Sequence, residues 1–207
     1  MDLLNFAAQH GSPEPPLLKA LRRATWQRTR HGRLMTDVHT GQILSMLSRM
    51  VGPKTALELG TFSGYGTLCL LDGVAPGGAL HTVERNDELF GLQDEFWKQH
   101  ERHSAIVRHH GLAADVLAQW PEDRPIDLAY VDADKQGVTD QLEGLLPHMA
   151  SGGWMLFDNT WWGGTLEEAQ GPKPRALRAL NARLAEDATL HSVVLPVGDG
   201  VTVVRKA

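Results

Sequence analysis

Two stretches of this chain place oxygen-bearing side chains where short apolar runs stop: Tyr-Val-Asp-Ala-Asp-Lys at 130–135 and Leu-Phe-Asp-Asn-Thr at 156–160. If both runs are parallel strands, their tips emerge on one edge of a sheet, and Asp132, Asp158 and Asn159 can converge on one point. Three hard oxygen donors with no thiol and no clustered histidine favour Mg²⁺, with Mn²⁺ or Ca²⁺ as alternatives, over Zn²⁺. Taken alone, either motif could simply cap the segment that follows it. The pair at successive strand ends is what points to a metal.

A third tip carries Glu58, in Ala-Leu-Glu-Leu-Gly-Thr-Phe-Ser-Gly-Tyr-Gly at 56–66, where a strand runs into a glycine-rich turn and a helix start. Ligands of open α/β sheets bind outside the carboxyl ends of the strands, so a cofactor belongs at this turn, with Gly60, Gly64 and Gly66 allowing close backbone approach. The spacing G-x-x-x-G-x-G departs from the G-x-G-x-x-G of dinucleotide binders. A carboxylate at Glu58 suits a sulfonium cofactor with an amino-acid tail better than a pyrophosphate, which wants amides and a helix dipole without an acid nearby. Glu84, at the end of His-Thr-Val-Glu-Arg, stands about 20 residues further on, where an acid accepts hydrogen bonds from ribose hydroxyls. The two acids together point to an adenosyl ligand.

These residues meet only if a parallel sheet positions them. The pattern predicts strands over 55–59, 79–84, 105–108, 126–132 and 153–158, with helices in the gaps. At the end of the chain, 192–196 and 201–205 are β-rich and joined only by Val-Gly-Asp-Gly, which forces an antiparallel pair. Before the sheet, the first 16–18 residues are rich in Pro, Gly and polar residues and read as a loosely held arm. A helix follows from Leu17, beginning near Pro15 and Pro16, and a second is expected from Thr40 to Met50, where Ile43, Leu44 and Leu47 recur at helical spacing. No repeat or low-complexity tract interrupts the chain.

Length and composition fit that organisation. With 207 residues and 42% hydrophobic composition, the chain can bury one sizeable core, so 1–207 is expected to be one domain: arm 1–16, N-terminal helices 17–51, Rossmann-like core 52–207. The net charge of −5 offers no field for polyanions, which argues against nucleic acid as a partner. One basic stretch, Lys19 to Arg33, reads as a solvated helix face, with guidance of an anionic substrate as the alternative. No apolar run is long enough to span a bilayer, and the single Cys69 excludes an internal disulfide, so a cytoplasmic protein is expected. Cys69 should pack in the helix after the glycine turn, and His109-His110, at a strand end without a partner at ligand spacing, reads as surface or satisfied core.

The combination of Glu-Leu-Gly-Thr-Phe-Ser-Gly-Tyr, Val-Asp-Ala-Asp-Lys, Asp-Asn-Thr and the C-terminal Leu-Pro-Val-Gly-Asp-Gly-Val-Thr-Val-Val-Arg-Lys resembles the caffeoyl-coenzyme A and catechol O-methyltransferase family, over nearly the whole chain from about residue 13. The resemblance implies an α/β fold with a Rossmann-like seven-stranded sheet, helices on both faces and the last strand antiparallel. It implies Asp132, Asp158 and Asn159 as metal ligands. Glu58, Gly60, Thr61, Glu84, Ala113 and Asp134 would surround S-adenosylmethionine, with Ser63, Tyr65 and Asp132 counted among the cofactor candidates and Thr36 closing over it. Lys135 would be the general base, acting with Asp132, since a lysine beside a divalent cation and partly desolvated gives up its proton more readily. Trp162, rather than Trp161, would wall a small, vicinally oxygenated acceptor, although a core role for either suits a tryptophan as well. A homodimer is expected by the same resemblance.

The chain also departs from that family. Gly66 replaces a serine that contacts the cofactor, Gly163 replaces a substrate-contacting asparagine, and no residues match the extension that touches coenzyme A, which makes a coenzyme A thioester a poor substrate. An NAD-dependent oxidoreductase would share the sheet and the ribose acid, but not Glu58, this glycine spacing or the Asp-Asn motif. A nucleic-acid methyltransferase would rest on the basic stretch alone. A non-catalytic binding module would not need the intact set of Asp132, Lys135, Asp158 and Asn159.

Overall fold

The glycine-punctuated middle of the chain builds a sheet whose acid-bearing tips all lie on one edge. The computed structural model describes residues 3–207. Its strands are β1 (Thr55–Leu59), β2 (Ala79–Glu84), β3 (Ile106–His110), β4 (Ile126–Val131), β5 (Met149–Asp158), β6 (Leu190–Leu195) and β7 (Val201–Lys206). They form one seven-stranded sheet in the order β3-β2-β1-β4-β5-β7-β6. Strands β1 to β5 pair in parallel, and β7 lies antiparallel between β5 and β6. Because the lateral order reverses at β1, the crevice beyond the carboxyl ends of β1 and β4 is the switch point at which such sheets bind ligands.

Successive side chains on a strand point to opposite faces, and the burial follows that alternation. Ala56, Leu80, Leu128, Tyr130 and Leu156 join one core layer with helices α2 (Pro16–Arg28), α3 (Val38–Val51), α4 (Tyr65–Leu71) and α5 (Phe90–Trp97). Leu57, Val83, Ala129, Val131 and Phe157 join the other with α6 (Ala113–Ala118), α7 (Val138–Leu145) and α8 (Pro172–Glu186). Glu58, Thr82, Glu84 and Asp158 share the even-numbered face. The candidate acids therefore lie on the side covered by α2 to α5.

Local chemistry sets the helix ends. Asp37 caps α3, its carboxylate accepting from the amides of His39 and Thr40 at 2.9 and 3.1 Å. Gly52, at φ 60°, ends that helix in the left-handed conformation. Cys69 is buried within α4, as its position after the turn suggested.

Three expectations need correction. The N-terminal segment is not a loose arm: α1 (Leu3–His10) forms within it, where leucines and alanines favour helix. Beyond α1, Glu14 is anchored by Arg22 at 2.7 Å and by the Tyr65 hydroxyl at 2.9 Å, and Arg22 holds its carboxyl below the usual carboxylate range. Strand β5 begins at Met149, four residues before the predicted start, because Ser-Gly-Gly masks its apolar pattern while the pairing with β4 shifts register between Ile126 and Leu128. Strand β3 continues to His110, because His109 and His110 pair with Val83 and Glu84 of β2. The His109 side chain also meets His81, with Nδ1 2.8 Å from His109 Nε2 and the edge of Trp120 against the His81 ring. Burial holds both imidazoles below the ordinary histidine range, His81 at about 4, so the pair is neutral near pH 7. Among the described residues, no helix is long and apolar enough to cross a membrane.

Candidate active site

The turn after β1 is built from side chains as much as from glycines. The amides of Gly60 and Thr61 both donate to the Val83 carbonyl, at 3.1 and 3.2 Å, which ties the turn to β2. A Cβ on Gly60 would come within 2.6 Å of the Asp132 carbonyl oxygen, so this glycine is needed because the end of β4 passes against it. Gly64, at φ 85°, is required by the Trp97 indole, and Gly66 by Glu58 Oε1, which would stand 2.7 Å from an added Cβ. These glycines are thus also demanded by the packing of the protein around the turn.

Glu58 lies fully buried at the tip of β1, with Thr67 and Thr82 hydroxyls both donating to Oε2, at 2.5 and 2.6 Å. Burial raises its pKa to about 8, against the effect of those two hydrogen bonds. Both oxygens of Glu84 accept backbone amides, from Phe62 at 2.7 Å and Asn86 at 2.8 Å. Phe62 adopts φ 48°, and Gln93 steadies it by donating to its carbonyl at 2.7 Å. Ser63 Oγ is buried without a hydrogen-bond partner, which a buried hydroxyl rarely lacks. That orphaned oxygen fits a polar ligand at the turn.

Other turn candidates have structural duties. The Thr61 hydroxyl is bonded to that of Thr82. The Tyr65 ring is buried in the first core layer and its hydroxyl reaches Glu14, which leaves its backbone as the part that can face a ligand. Ala113 opens α6 half-buried, Asp134 is exposed just beyond β4, and Thr36 is buried beside Glu58 and Tyr130 around Gly66.

The acids at the tips of β4 and β5 stand close enough for the charge of one to act on the other. The amide of Asp132 donates to Leu59 at 2.8 Å, fixing its place beside the glycine turn. Lys135 Nζ donates to Asp132 Oδ1 at 2.5 Å, with the two side chains only 11% and 16% exposed. Asp158 accepts from Tyr130 Oη at 2.6 Å on Oδ2 and from the Asn159 amide at 2.7 Å on Oδ1. Burial raises the pKa of Asp132 and of Asp158, and the Asp158 charge pushes Asp132 further while Lys135 opposes it. Asn159 holds the left-handed conformation at φ 62°, tolerable for asparagine, and its Nδ2 reaches Asp199 at 3.4 Å. The hairpin between β6 and β7 clamps this loop: Thr160 and Trp161 amides donate to Gly200 and Asp199 carbonyls at 3.0 and 2.9 Å. Among the described residues, no group of three or more His, Cys, Asp or Glu is placed to hold a metal. The set at hand is two carboxylates and an amide, and two little-exposed acids against one lysine, paired with Asp132, suit an added cation.

Trp162 packs half-buried against the second core layer, whereas Trp161 is 55% exposed with its ring over Gly164. Within the basic stretch, Arg22 and Arg28 are committed to Glu14 and Glu95. Sequence reasoning passed over Tyr130, Thr67, Thr82, Gln93 and Asp199. Tyr130 and Thr82 were within reach, since each lies two residues before an acid already singled out and therefore on the same face of its strand.

This sheet order with one reversed strand, and acids gathered beside a glycine turn, define a Rossmann-like methyltransferase fold. The chain matches the O-methyltransferase family over residues 8–207 and belongs to it. It is 32% identical over 212 residues to catechol O-methyltransferase domain-containing protein 1 of Mus musculus, covering 99% of this chain and 79% of that protein. It is 32% identical over 200 residues to caffeoyl-CoA O-methyltransferase of Stellaria longipes, covering 91% and 83%. In fold it is similar to the SAH-bound methyltransferase PaMTH1 of Podospora anserina, with a TM-score of 0.88 at 23% identity over 99% of this chain and 94% of that one.

Proposed function

We propose that this chain transfers a methyl group from S-adenosylmethionine to a hydroxyl of a small, vicinally oxygenated acceptor held on a divalent metal ion, Mg²⁺ first among the candidates. The observation that carries the reading is that Asp132, paired with Lys135, stands at the tip of β4 close enough to Asp158 at the tip of β5 for the Asp158 charge to act on it, with Asn159 next in the chain. The net charge of −5 supports a small molecule rather than nucleic acid as acceptor.

Asp132, Asp158 and Asn159 would hold the cation, which when bound lowers the pKa of a hydroxyl on it and fixes its direction. S-adenosylmethionine would supply an electrophilic methyl on a sulfonium, and residues of the β1 turn with Glu84 at the end of β2 would hold it. Glu84 retains a lone pair on each oxygen for ribose hydroxyls, since each already accepts only one amide. Lys135 would accept the acceptor's hydroxyl proton at Nζ. The buried, hydrogen-bonded surroundings of the acids keep these groups in place, and alignment of the two reactants supplies most of the acceleration.

The test is transfer of a labelled methyl group from S-adenosylmethionine to catechol, caffeic acid and hydroxylated natural products, with Mg²⁺ and then with a chelator. Transfer that the chelator stops is expected. Lys135→Ala and Asp158→Ala should each abolish turnover, by 10²-fold or more for loss of a general base, while S-adenosylmethionine binding largely persists. Normal turnover by either variant refutes the mechanism.

A further inference from the structure

The side chain of Asp158 is held from two directions. Tyr130 Oη donates to Oδ2 at 2.6 Å and the Asn159 amide to Oδ1 at 2.7 Å. One donor on each oxygen fixes the plane of the carboxylate as well as its position, and leaves each oxygen a lone pair free. Tyr130 is itself immobile: its ring is wholly buried, opposite Glu58 on β1 and Leu156 on β5 in the sheet register. Phenylalanine would fill the same space in this apolar layer. What tyrosine adds is the hydroxyl, and the hydroxyl reaches the carboxylate that the metal reading requires.

We propose that Tyr130 is a positioning residue, whose hydroxyl orients the Asp158 carboxylate toward a divalent cation and so sets the chain's affinity for that ion. The inference rests on the metal reading above. Groups that orient a ligating carboxylate in this way influence metal affinity by about 10–100-fold. The same buried ring adjoins Thr36 around Gly66, so the ligand's support is continuous with the segment that borders the cofactor turn.

The experiment is Mn²⁺ binding to the full chain, with free Mn²⁺ counted by electron paramagnetic resonance, for the wild type and Tyr130→Phe. The variant should bind Mn²⁺ about 10–100-fold more weakly, with affinity for S-adenosylhomocysteine within about twofold of wild type. Equal Mn²⁺ affinity in the two proteins overturns the role of Tyr130 and leaves the metal reading standing. A wild type that binds no Mn²⁺ at millimolar concentration overturns both. Should Tyr130→Phe lose S-adenosylhomocysteine binding as well, 3-fluorotyrosine at position 130 decides, because it keeps the hydroxyl. Its ¹⁹F resonance should move during a Mg²⁺ titration, and a resonance that stays fixed while Mg²⁺ binds overturns the proposal.

Discussion

Replacing Glu58 with glutamine should remove a fall in stability that the wild type suffers between about pH 4.5 and pH 8. In the unfolded chain this carboxyl ionises near 4.5, whereas in the fold burial keeps it protonated up to about 8. Between those values unfolding releases a proton, so stability declines as pH rises, by about 1.4 kcal/mol per unit. Below pH 4.5 both states carry the proton and above about pH 8 neither does, so the slope vanishes at both ends. Across the window the effect has a ceiling of about 5 kcal/mol, a large part of the ~5–15 kcal/mol typical of a whole domain. Asp132 and Asp158 are also raised by burial and titrate in both proteins, so the difference between variant and wild type reports Glu58 together with its interaction with Asp132.

The assay is urea unfolding followed by tryptophan fluorescence, on ligand-free protein at pH 5, 6.5, 8 and 8.5. Near pH 5 the variant should be slightly less stable, since an amide replaces the carboxyl beside Gly66 and the Thr36 hydroxyl. By pH 8 it should be the more stable of the two. Profiles that run parallel from pH 5 to 8.5 would mean that Glu58 is ionised in the fold, and would refute the reasoning.

Two further predictions concern packing. A Cβ on Gly73 would stand 2.0 Å from the carbonyl carbon of Ser48 and 2.2 Å from the Arg49 nitrogen, backbone that no rotamer change can move. Gly73→Ala should therefore force α3 from the end of α4 and cost about 3 kcal/mol or more, read as a lowered urea midpoint; a midpoint within error of wild type would show that the two segments can part freely. The two neighbouring tryptophans should separate cleanly. Trp162→Ala should raise the acceptor KM and lower stability by about 1–3 kcal/mol through lost burial, whereas Trp161→Ala should change stability by less than about 0.5 kcal/mol. A KM raised in Trp161→Ala alone would move the acceptor wall to Trp161.

The parts of this molecule legible in its sequence are those where one residue's position suffices. A strand tip is such a place: once Ala-Leu-Glu-Leu-Gly and Tyr-Val-Asp are read as parallel strands, Glu58 and Asp132 must emerge on one edge, and β1 pairs with β4 through Glu58 and Tyr130 side by side. The closing hairpin was legible for the same reason, since four residues between two β-rich runs allow only an antiparallel pair. What escaped needed knowledge of a second residue far away in the chain. His109 looked unpartnered because His81 lies 28 positions earlier and meets it only across β2 and β3. The arm looked loose because Glu14 is held by Tyr65, 51 positions on. The glycines of the turn meet a second demand that nothing in the local sequence reveals, since the Asp132 backbone and the Trp97 indole press against them. The same limit hid Tyr130. An alternating strand puts it on the face of Asp132, but its hydrogen bond goes to Asp158 on the next strand, and only the register of β4 against β5 brings that oxygen within 2.6 Å. Site residues that act through a neighbour are thus encoded in sheet register, which a single sequence constrains through the burial of its apolar positions rather than through any motif.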